Sequence, residues 1–195
     1  MILPFLPTPR ARPGRVALLA LEGAIICTLA DQLHVRFGVL SYPSPAFAGE
    51  AWWVPPEFAI AVVAMTLSYR LLDRAGGTTG VAIVTGLAWF YGIYLASCLL
   101  GAWPVALTAA FVVTFAGRLA FEARGRSIGK VLLPGLPHAL AVAAAGPAVE
   151  ATLVSLGLFA YAAPDLLGVP MWLPALYLHG AWAGRAIARM FFSSG

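Results

Sequence analysis

The sequence predicts an all-α membrane protein: a six-span transmembrane helical bundle with its N- and C-termini cytoplasmic. Three observations carry that prediction. The 195-residue chain is 61% hydrophobic and only 10% charged, with a mean hydropathy of +0.88, more apolar than a soluble domain of this size can hide. Its apolar residues come in runs of about 20, the length that crosses a bilayer as a helix. Of its twelve lysines and arginines, only Arg36 falls on the opposite side of a six-span arrangement from the rest. By the positive-inside rule the basic side is cytoplasmic.

Residues 1–14 form a cytoplasmic tail, and residues 15–192 form the membrane domain. Pro4, Pro7, Pro9 and Pro13 break the first apolar stretch, and Arg10, Arg12 and Arg15 lie among and after them, a pattern unlike a secretory signal. The spans read as Val16–Leu33, Trp52–Leu72, Thr79–Leu100, Trp103–Ala120, Leu136–Tyr161 and Met171–Phe191. The second opens on Ala51-Trp52-Trp53-Val54-Pro55-Pro56, and the sixth follows Tyr161-Ala162-Ala163-Pro164-Asp165 and opens on Met171-Trp172-Leu173-Pro174. Tryptophan suits the headgroup layer, and proline suits a first helical turn, where its missing N–H has no partner to lose. The third and fourth spans are joined by Gly101-Ala102-Trp103-Pro104 alone, so they are antiparallel neighbours. In the fifth span Pro147 cannot donate to the carbonyl of Ala143, and Gly146 weakens the helix beside it. The resulting kink either lines a cavity or is filled by a neighbouring side chain.

Polar residues within spans are the candidates for function. Glu22 lies in the inner half of the first span, where an ion pair with Arg185 or Arg118 is expected. Glu57 follows the two prolines at the outer interface. Glu150 and His179 lie at similar depth on adjacent spans, and a hydrogen-bonded pair between them would contact a ligand hydroxyl or neutralise itself. Asp31 and His34 read as a solvated helix end rather than metal ligands. Cys27 and Cys98 both lie within spans, so neither a disulfide nor a metal site is expected. Enzyme motifs are absent: no phosphate-cradling glycine loop, nucleophile elbow or H-E-x-x-H. Gly180-x-x-x-Gly184 permits close helix packing, inside the bundle rather than at a dimer face. No internal repeat is evident, which counts against a transporter subunit.

With these residues in view, the chain resembles the Insig (insulin-induced gene) family of membrane proteins. Trp52, Trp53, Pro55 and Pro56 stand in the family's AWWVPP segment, with Tyr69 and the pair Asp73-Arg74 following at the family's spacing. Tyr161, Pro164, Asp165, Leu167, Trp172, Leu173, Pro174, Gly180 and Arg189 match its fifth loop and sixth span, and Gly92-Ile93 and Ala96-Ser97 match its third. The resemblance implies six spans with both ends cytosolic and a lipid held within the bundle, an oxysterol in animal members. It also implies the retention of Scap and the degradation of HMG-CoA reductase that underlie cholesterol homeostasis. No catalytic activity or cofactor attaches to the family. Glu122 stands where animal members carry a partner-engaging aspartate, in a cytoplasmic loop with Arg124 and Arg126. That departure, a shortened third loop and the missing charged tail argue against those two partners. The positions matching Glu150 and His179 are not ionisable in animal members, and their joint change predicts that the two side chains touch.

The expected function is therefore a non-enzymatic lipid-binding membrane protein, with Glu22, Trp89, Ser97, Pro147, Glu150 and His179 contributing to the pocket. The ligand would be a sterol-like or diacylglycerol-like membrane lipid. The alternative is a small membrane enzyme acting on an isoprenoid or sterol-like lipid, with Glu57, Glu150 and His179 as acid–base groups. A homo-oligomer and a partner membrane protein remain open; no nucleic-acid partner is expected. Eleven arginines against one lysine point to a GC-rich genome and a bacterial inner membrane; a eukaryotic chain of this kind would sit in the endoplasmic reticulum.

Overall fold

The computed structural model describes residues 13–72, 78–124 and 135–192. Asp73, Arg74, Arg126 and most of the N-terminal tail lie outside the described residues. Within them the chain forms α1 (Pro13–Arg36), β1 (Leu40–Ser41), α2 (Val54–Leu72), α3 (Gly80–Leu100), α4 (Pro104–Glu122), α5 (Leu136–Ser155), β2 (Ala160–Tyr161) and α6 (Leu173–Phe192). The helix starts follow the local chemistry. Pro104 and Pro137 occupy first-turn positions of α4 and α5. Thr79 caps α3, its Oγ1 accepting from the Ala82 N–H at 3.2 Å.

Four of these helices, α1, α3, α4 and α5, are long and apolar enough to cross a membrane, and α2 has a shorter apolar stretch over Val54–Tyr69. The sixth helix is the least lipid-like because it is the most enclosed. Ala175, Leu176, His179, Ala181, Trp182, Ala183, Arg185 and Ala188 are all buried, and α2, α3, α4 and α5 all pack against it. Despite their short connection, α3 and α4 touch each other sparingly. Both lean on α6 instead. Gly180 and Gly184 serve this packing. A Cβ at Gly180 would lie 3.1 Å from the Phe90 ring, and one at Gly184 would lie 2.5 Å from the Met65 methyl.

The fifth helix stops six residues before the expected end at Tyr161. Gly157 adopts φ +70°; its N–H donates to the Val154 carbonyl, and Leu158 N–H donates to that of Leu153. This paired closure needs a left-handed residue, which glycine supplies without strain. The first helix ends in the same way, with Gly38 at φ +68° and bonds from Gly38 to Val35 and from Val39 to His34.

That likeness extends much further, and it corrects the expectation that the chain holds no internal repeat. A single constant shift places Gly38, Tyr42, Pro45, Gly49, Trp53 and Pro55 on Gly157, Tyr161, Pro164, Gly168, Trp172 and Pro174 without a gap. The same shift carries the start of α2 at Val54 onto the start of α6 at Leu173. Each connecting loop closes an isolated bridge, Phe47–Glu50 in one and Leu166–Val169 in the other. Each turns through a positive-φ pair, Ala48-Gly49 and Leu167-Gly168. In each, the glycine presses on a valine of the preceding helix: an added Cβ would lie 2.8 Å from Val35 and 2.7 Å from Val154. The α1–α2 and α5–α6 hairpins are thus two copies of one helix–loop–helix unit. Their loops pair antiparallel through β1 and β2, with Ser41 opposite its own counterpart Ala160. The repeat escapes a pass along the sequence because only turn, cap and interface positions retain it.

Gly49→Ala and Gly168→Ala should each destabilise the protein by about 1–3 kcal/mol, since each adds positive-φ strain to a valine clash. Gly117→Ala, where an added Cβ meets nothing within 4 Å, should be neutral or mildly stabilising. Thermal unfolding of the purified variants in one detergent checks all three.

Candidate functional site

Three polar centres and one groove stand out. At the end of the bundle carrying β1 and β2, the strand end, the Tyr42 hydroxyl donates to Asp31 Oδ2 at 2.8 Å. In the other repeat the Tyr161 hydroxyl donates to Glu150, and the Tyr177 hydroxyl donates to the second Glu150 oxygen at 2.6 Å. Beside them His34 Nε2 meets Ser97 Oγ at 2.8 Å. The Ser97 hydroxyl also lies 2.6 Å from the Tyr94 carbonyl and donates to it, so His34 is the donor in their shared bond. His34 is stacked on Tyr94 with ring centroids 4.2 Å apart. Asp31 and His34 are buried, not a solvated helix end as the spacing suggested: Tyr42 meets Asp31, and Tyr94, Ser97 and Trp172 surround His34. Glu50, in the first loop, is fully buried; neither of its oxygens has a hydrogen-bond partner of ordinary geometry among the described residues. Burial pushes its carboxyl above the usual carboxylate range, and the nearby Gln32 amide partly opposes the shift.

The arrangement corrects the expected Glu150–His179 pair. Tyr177 faces Glu150, and two residues along a helix turn His179 to the other side of α6. There His179 Nε2 donates to the Phe111 carbonyl at 3.0 Å, and its ring meets Phe115 edge-on and Trp89 face-on. The remaining nitrogen, Nδ1, is a lone-pair acceptor. It is buried without a hydrogen-bond partner among the described residues. The structure also decides what surrounds Pro147. A Cβ at Gly146 would fall 2.1 Å from the Tyr177 ring, so Gly146 and Pro147 form a notch that a neighbouring aromatic fills. The helix itself runs unbroken through Pro147.

The opposite end carries most of the described arginines, Arg36 at the end of α1 being the exception. Arg118 is buried on α4; its Nε donates to Glu122 Oε1 at 3.1 Å, and Trp182 Nε1 donates to Glu122 Oε2 at 2.9 Å. Arg185 lies over the Trp182 ring, 4.7 Å from its centroid. Glu122 thus accepts from Arg118 of its own helix and from Trp182 of α6, while remaining exposed at the end of α4. Arg124 lies over Phe121 at 4.9 Å and is exposed. Glu22 faces outward from α1, and the expected pair with Arg118 is replaced by the Arg118–Glu122 pair. A third centre, unforeseen in the sequence, joins α2 to α5: Ser68 Oγ and His138 Nε2 lie 2.7 Å apart, and the His138 ring lies against Tyr69 at 3.6 Å between centroids. Tyr69 in turn donates to the Ala181 carbonyl of α6. Nothing in linear spacing links Ser68 to His138.

The groove runs along α3 and is lined by Val84, Thr85, Ala88, Trp89, Gly92 and Ile93, with a volume of about 430 Å³. Its lining is apolar except for Thr85. Trp89 connects it to the core, because its ring stacks near the His179 imidazole with centroids 6.3 Å apart. Of the six expected pocket residues, only Trp89 lines the groove and only His179 lies beneath it. Ser97 and Glu150 hold internal bonds, Pro147 is buried in α5 beside the Gly146–Tyr177 contact, and Glu22 faces away.

No protein-family model matches the chain. An Insig protein homologue of Mycolicibacterium vanbaalenii is 33% identical over 176 residues, spanning 86% of this chain and 82% of the homologue. The chain belongs to the Insig family. The insulin-induced gene 1 protein of Gallus gallus is 27% identical over 176 residues, 85% of this chain and 67% of that protein. The crystal structure of a mycobacterial Insig homologue matches this fold with a TM-score of 0.77 at 28% identity, covering 93% of this chain and 95% of that one. A cross-linked trimer of that homologue matches equally well, at 95% and 97% coverage. Like its relatives, this Insig chain is an integral multi-pass membrane protein. The Insig motif residues divide by role. Trp172 is buried in the core and meets His34, Phe111 and Tyr161 edge-on, whereas Trp52 is exposed. Asp165 Oδ2 accepts from the Met171 N–H at 2.9 Å, fixing the turn that leads into α6.

Replacing Glu122 by alanine should cost about 2 kcal/mol, because it strands the Arg118 guanidinium and the Trp182 N–H together. Arg118→Leu combined with Glu122→Leu should recover part of that loss. A double-mutant cycle on thermal unfolding measures the difference.

Proposed function

We propose that this protein is a non-enzymatic, Insig-type lipid-binding membrane protein, and that its ligand lies in the groove along α3 with its polar end toward His179. One observation carries the reading: an apolar groove in a membrane protein ends at a tryptophan that stacks beside a buried histidine with an unused acceptor. A lipid with a long apolar body and one free hydroxyl fits that chemistry. The body would fill the groove along α3, and the hydroxyl would donate to His179 Nδ1 once Trp89 moves aside. Sterol-like and diacylglycerol-like lipids both meet that description. Lipid binding would act by population shift, favouring one spacing of α3 and α4 over another.

The family's regulatory character supports a role without catalysis. The acid–base set needed by the enzyme alternative does not converge: Glu150 is held by two tyrosines on one side of α6, and His179 faces the other. The repeat relates two hairpins that run in the same direction, an arrangement also found in transporters. It removes one objection to transport without adding a substrate path. We further propose that the arginine end is cytoplasmic, that all six helices span, and that the protein is a homo-oligomer, as the cross-linked trimer of the mycobacterial homologue suggests.

Lipid mass spectrometry on protein purified in mild detergent tests the binding reading. One lipid should be enriched near stoichiometry in the native protein. Gly92→Leu, which fills the groove at a position where an added Cβ meets nothing within 4 Å, should abolish the enrichment with little change in unfolding temperature. His179→Phe should weaken retention of hydroxyl-bearing lipids selectively. A broad mixture matching the host membrane in all three proteins would sink the proposal. For orientation, an impermeant maleimide applied to intact cells should label Ser44→Cys but not Arg124→Cys.

A further inference from the structure

Gln32 is the single carboxamide side chain in the 195 residues of this chain, which contains no asparagine. It lies on α1, on the helix face that also carries Thr28 and Val35, since spacings of four and three residues align along a helix. The first loop is pressed onto that face. An added Cβ at Gly49 would fall 2.8 Å from the Val35 side chain, and Glu50 follows directly. The loop's bridge fixes the Glu50 main chain: its carbonyl accepts from the Ala46 N–H at 2.7 Å, and its N–H donates to the Phe47 carbonyl at 2.8 Å. The Glu50 side chain is fully buried, as are Ala51 and Val54 just after it. The Gln32 amide lies close to its carboxyl group.

Both Glu50 oxygens, Gln32 Nε2 and Thr28 Oγ1 are buried without a hydrogen-bond partner of ordinary geometry among the described residues. Arg36, the described arginine at this end, is exposed, and no ion pair among the described residues joins it to Glu50. Other helix threonines behave differently: Thr108, Thr114 and Thr152 each donate to the carbonyl four residues back. Buried polar groups are nearly always bonded, because an unmade bond leaves the cost of desolvation uncompensated. The second hairpin shows that the fold itself needs no polar group here. The constant shift that relates the two copies places Thr28, Gln32 and Glu50 on Pro147, Ala151 and Val169. All three counterparts are apolar, and Pro147 and Val169 are buried. One copy fills this place with hydrocarbon, whereas the other lines it with a carboxyl, an amide and a hydroxyl.

We infer that Thr28, Gln32 and Glu50 form a binding site for one small O–H group, set between α1 and the first loop. The chemistry of the three side chains selects that guest. A carboxylate accepts, an amide N–H donates, and a threonine hydroxyl does either. A bare cation would suit Glu50 but repel the Gln32 N–H, and an anion would do the reverse. An ammonium group has no lone pair for Gln32. A hydroxyl donates to Glu50 and accepts from Gln32 at once. Enclosure keeps the guest small, so its source is a buried water or the headgroup hydroxyl of a membrane lipid at this end of the bundle. The site shares no residue with the groove along α3 and holds whether or not the groove binds a lipid.

The test exploits the lone carboxamide, whose side-chain amide gives a single pair of signals in the NMR spectrum of isotope-labelled full-length protein. In phosphatidylcholine nanodiscs, whose lipid has no headgroup hydroxyl, a nuclear Overhauser contact from that amide to water is expected. It should persist when an impermeant gadolinium chelate bleaches amides open to bulk solvent, and this result assigns a bound water. In phosphatidylglycerol nanodiscs, a contact to the headgroup glycerol protons assigns a lipid hydroxyl instead. Glu50→Val, which copies the second hairpin, should abolish either contact. Contacts to protein protons alone in both lipids would overturn the inference. So would bleaching of the amide by the chelate, or a water or glycerol contact that survives Glu50→Val undiminished. If that variant does not fold, the contacts of the unmodified protein decide alone.

Discussion

The architecture depends on hydrogen bonds made to one enclosed helix. In a membrane, apolar side chains gain little by leaving lipid for the protein interior, so packing and internal hydrogen bonds hold the helices together. Here those bonds converge on α6. Tyr69 ties α2 to it through the Ala181 carbonyl; Arg118, Glu122 and His179 tie α4 to it; and Tyr177 ties α5 to it through Glu150. The third helix is tied to α1 instead, through the His34–Ser97 bond and the Tyr91 hydroxyl donating to the Ile26 carbonyl, and meets α6 with Phe90 seated against Gly180 and Trp89 beside His179. It is also the helix that lines the groove.

Duplication explains why so short a chain encloses so many polar side chains. A helix–loop–helix unit that ends its first helix with a left-handed glycine and starts its second with Trp–x–Pro is used twice. The two copies meet at their loops, where exposed backbone groups pair as β1 and β2 instead of facing the bilayer surface unpaired. The copies then diverge with their surroundings. The second helix of the latter copy is covered by α3 and α4 and carries His179 and Ala183. At the equivalent positions of the first copy, Ile60 is largely exposed and Ala64 faces outward. Burial, not descent, assigns the polar residues.

Much of the helical organisation was legible along the chain. Five of the six helices lie within a few residues of their expected ranges, because apolar run length, proline at first turns and the two Trp–Pro blocks act locally. The fifth was drawn too long because Leu156, Leu158 and Phe159 continue the apolar run past Gly157, whose conformational role hydropathy does not register. Candidate site residues fared differently. Trp89 and His179 fall at the groove, while Ser97, Pro147 and Glu150 are explained by His34, Tyr177 and Tyr161. Depth in the membrane follows from counting residues along a helix, but the direction a side chain faces follows from the rotation of neighbouring helices about their axes.

The sequence by itself determined that this is a multi-pass helical membrane protein of the Insig family. Composition, run length and short aromatic–proline motifs specify those properties within a few residues of each other. Only the tertiary structure decided that Glu150 and His179 lie on opposite sides of α6, that Glu122 accepts from Trp182 of α6, and that α1–α2 and α5–α6 are copies of one unit. Each depends on contacts between residues far apart in the chain. Which polar group finds which partner inside an apolar bundle is set by the rotation and close approach of helices, for which the linear pattern carries no period.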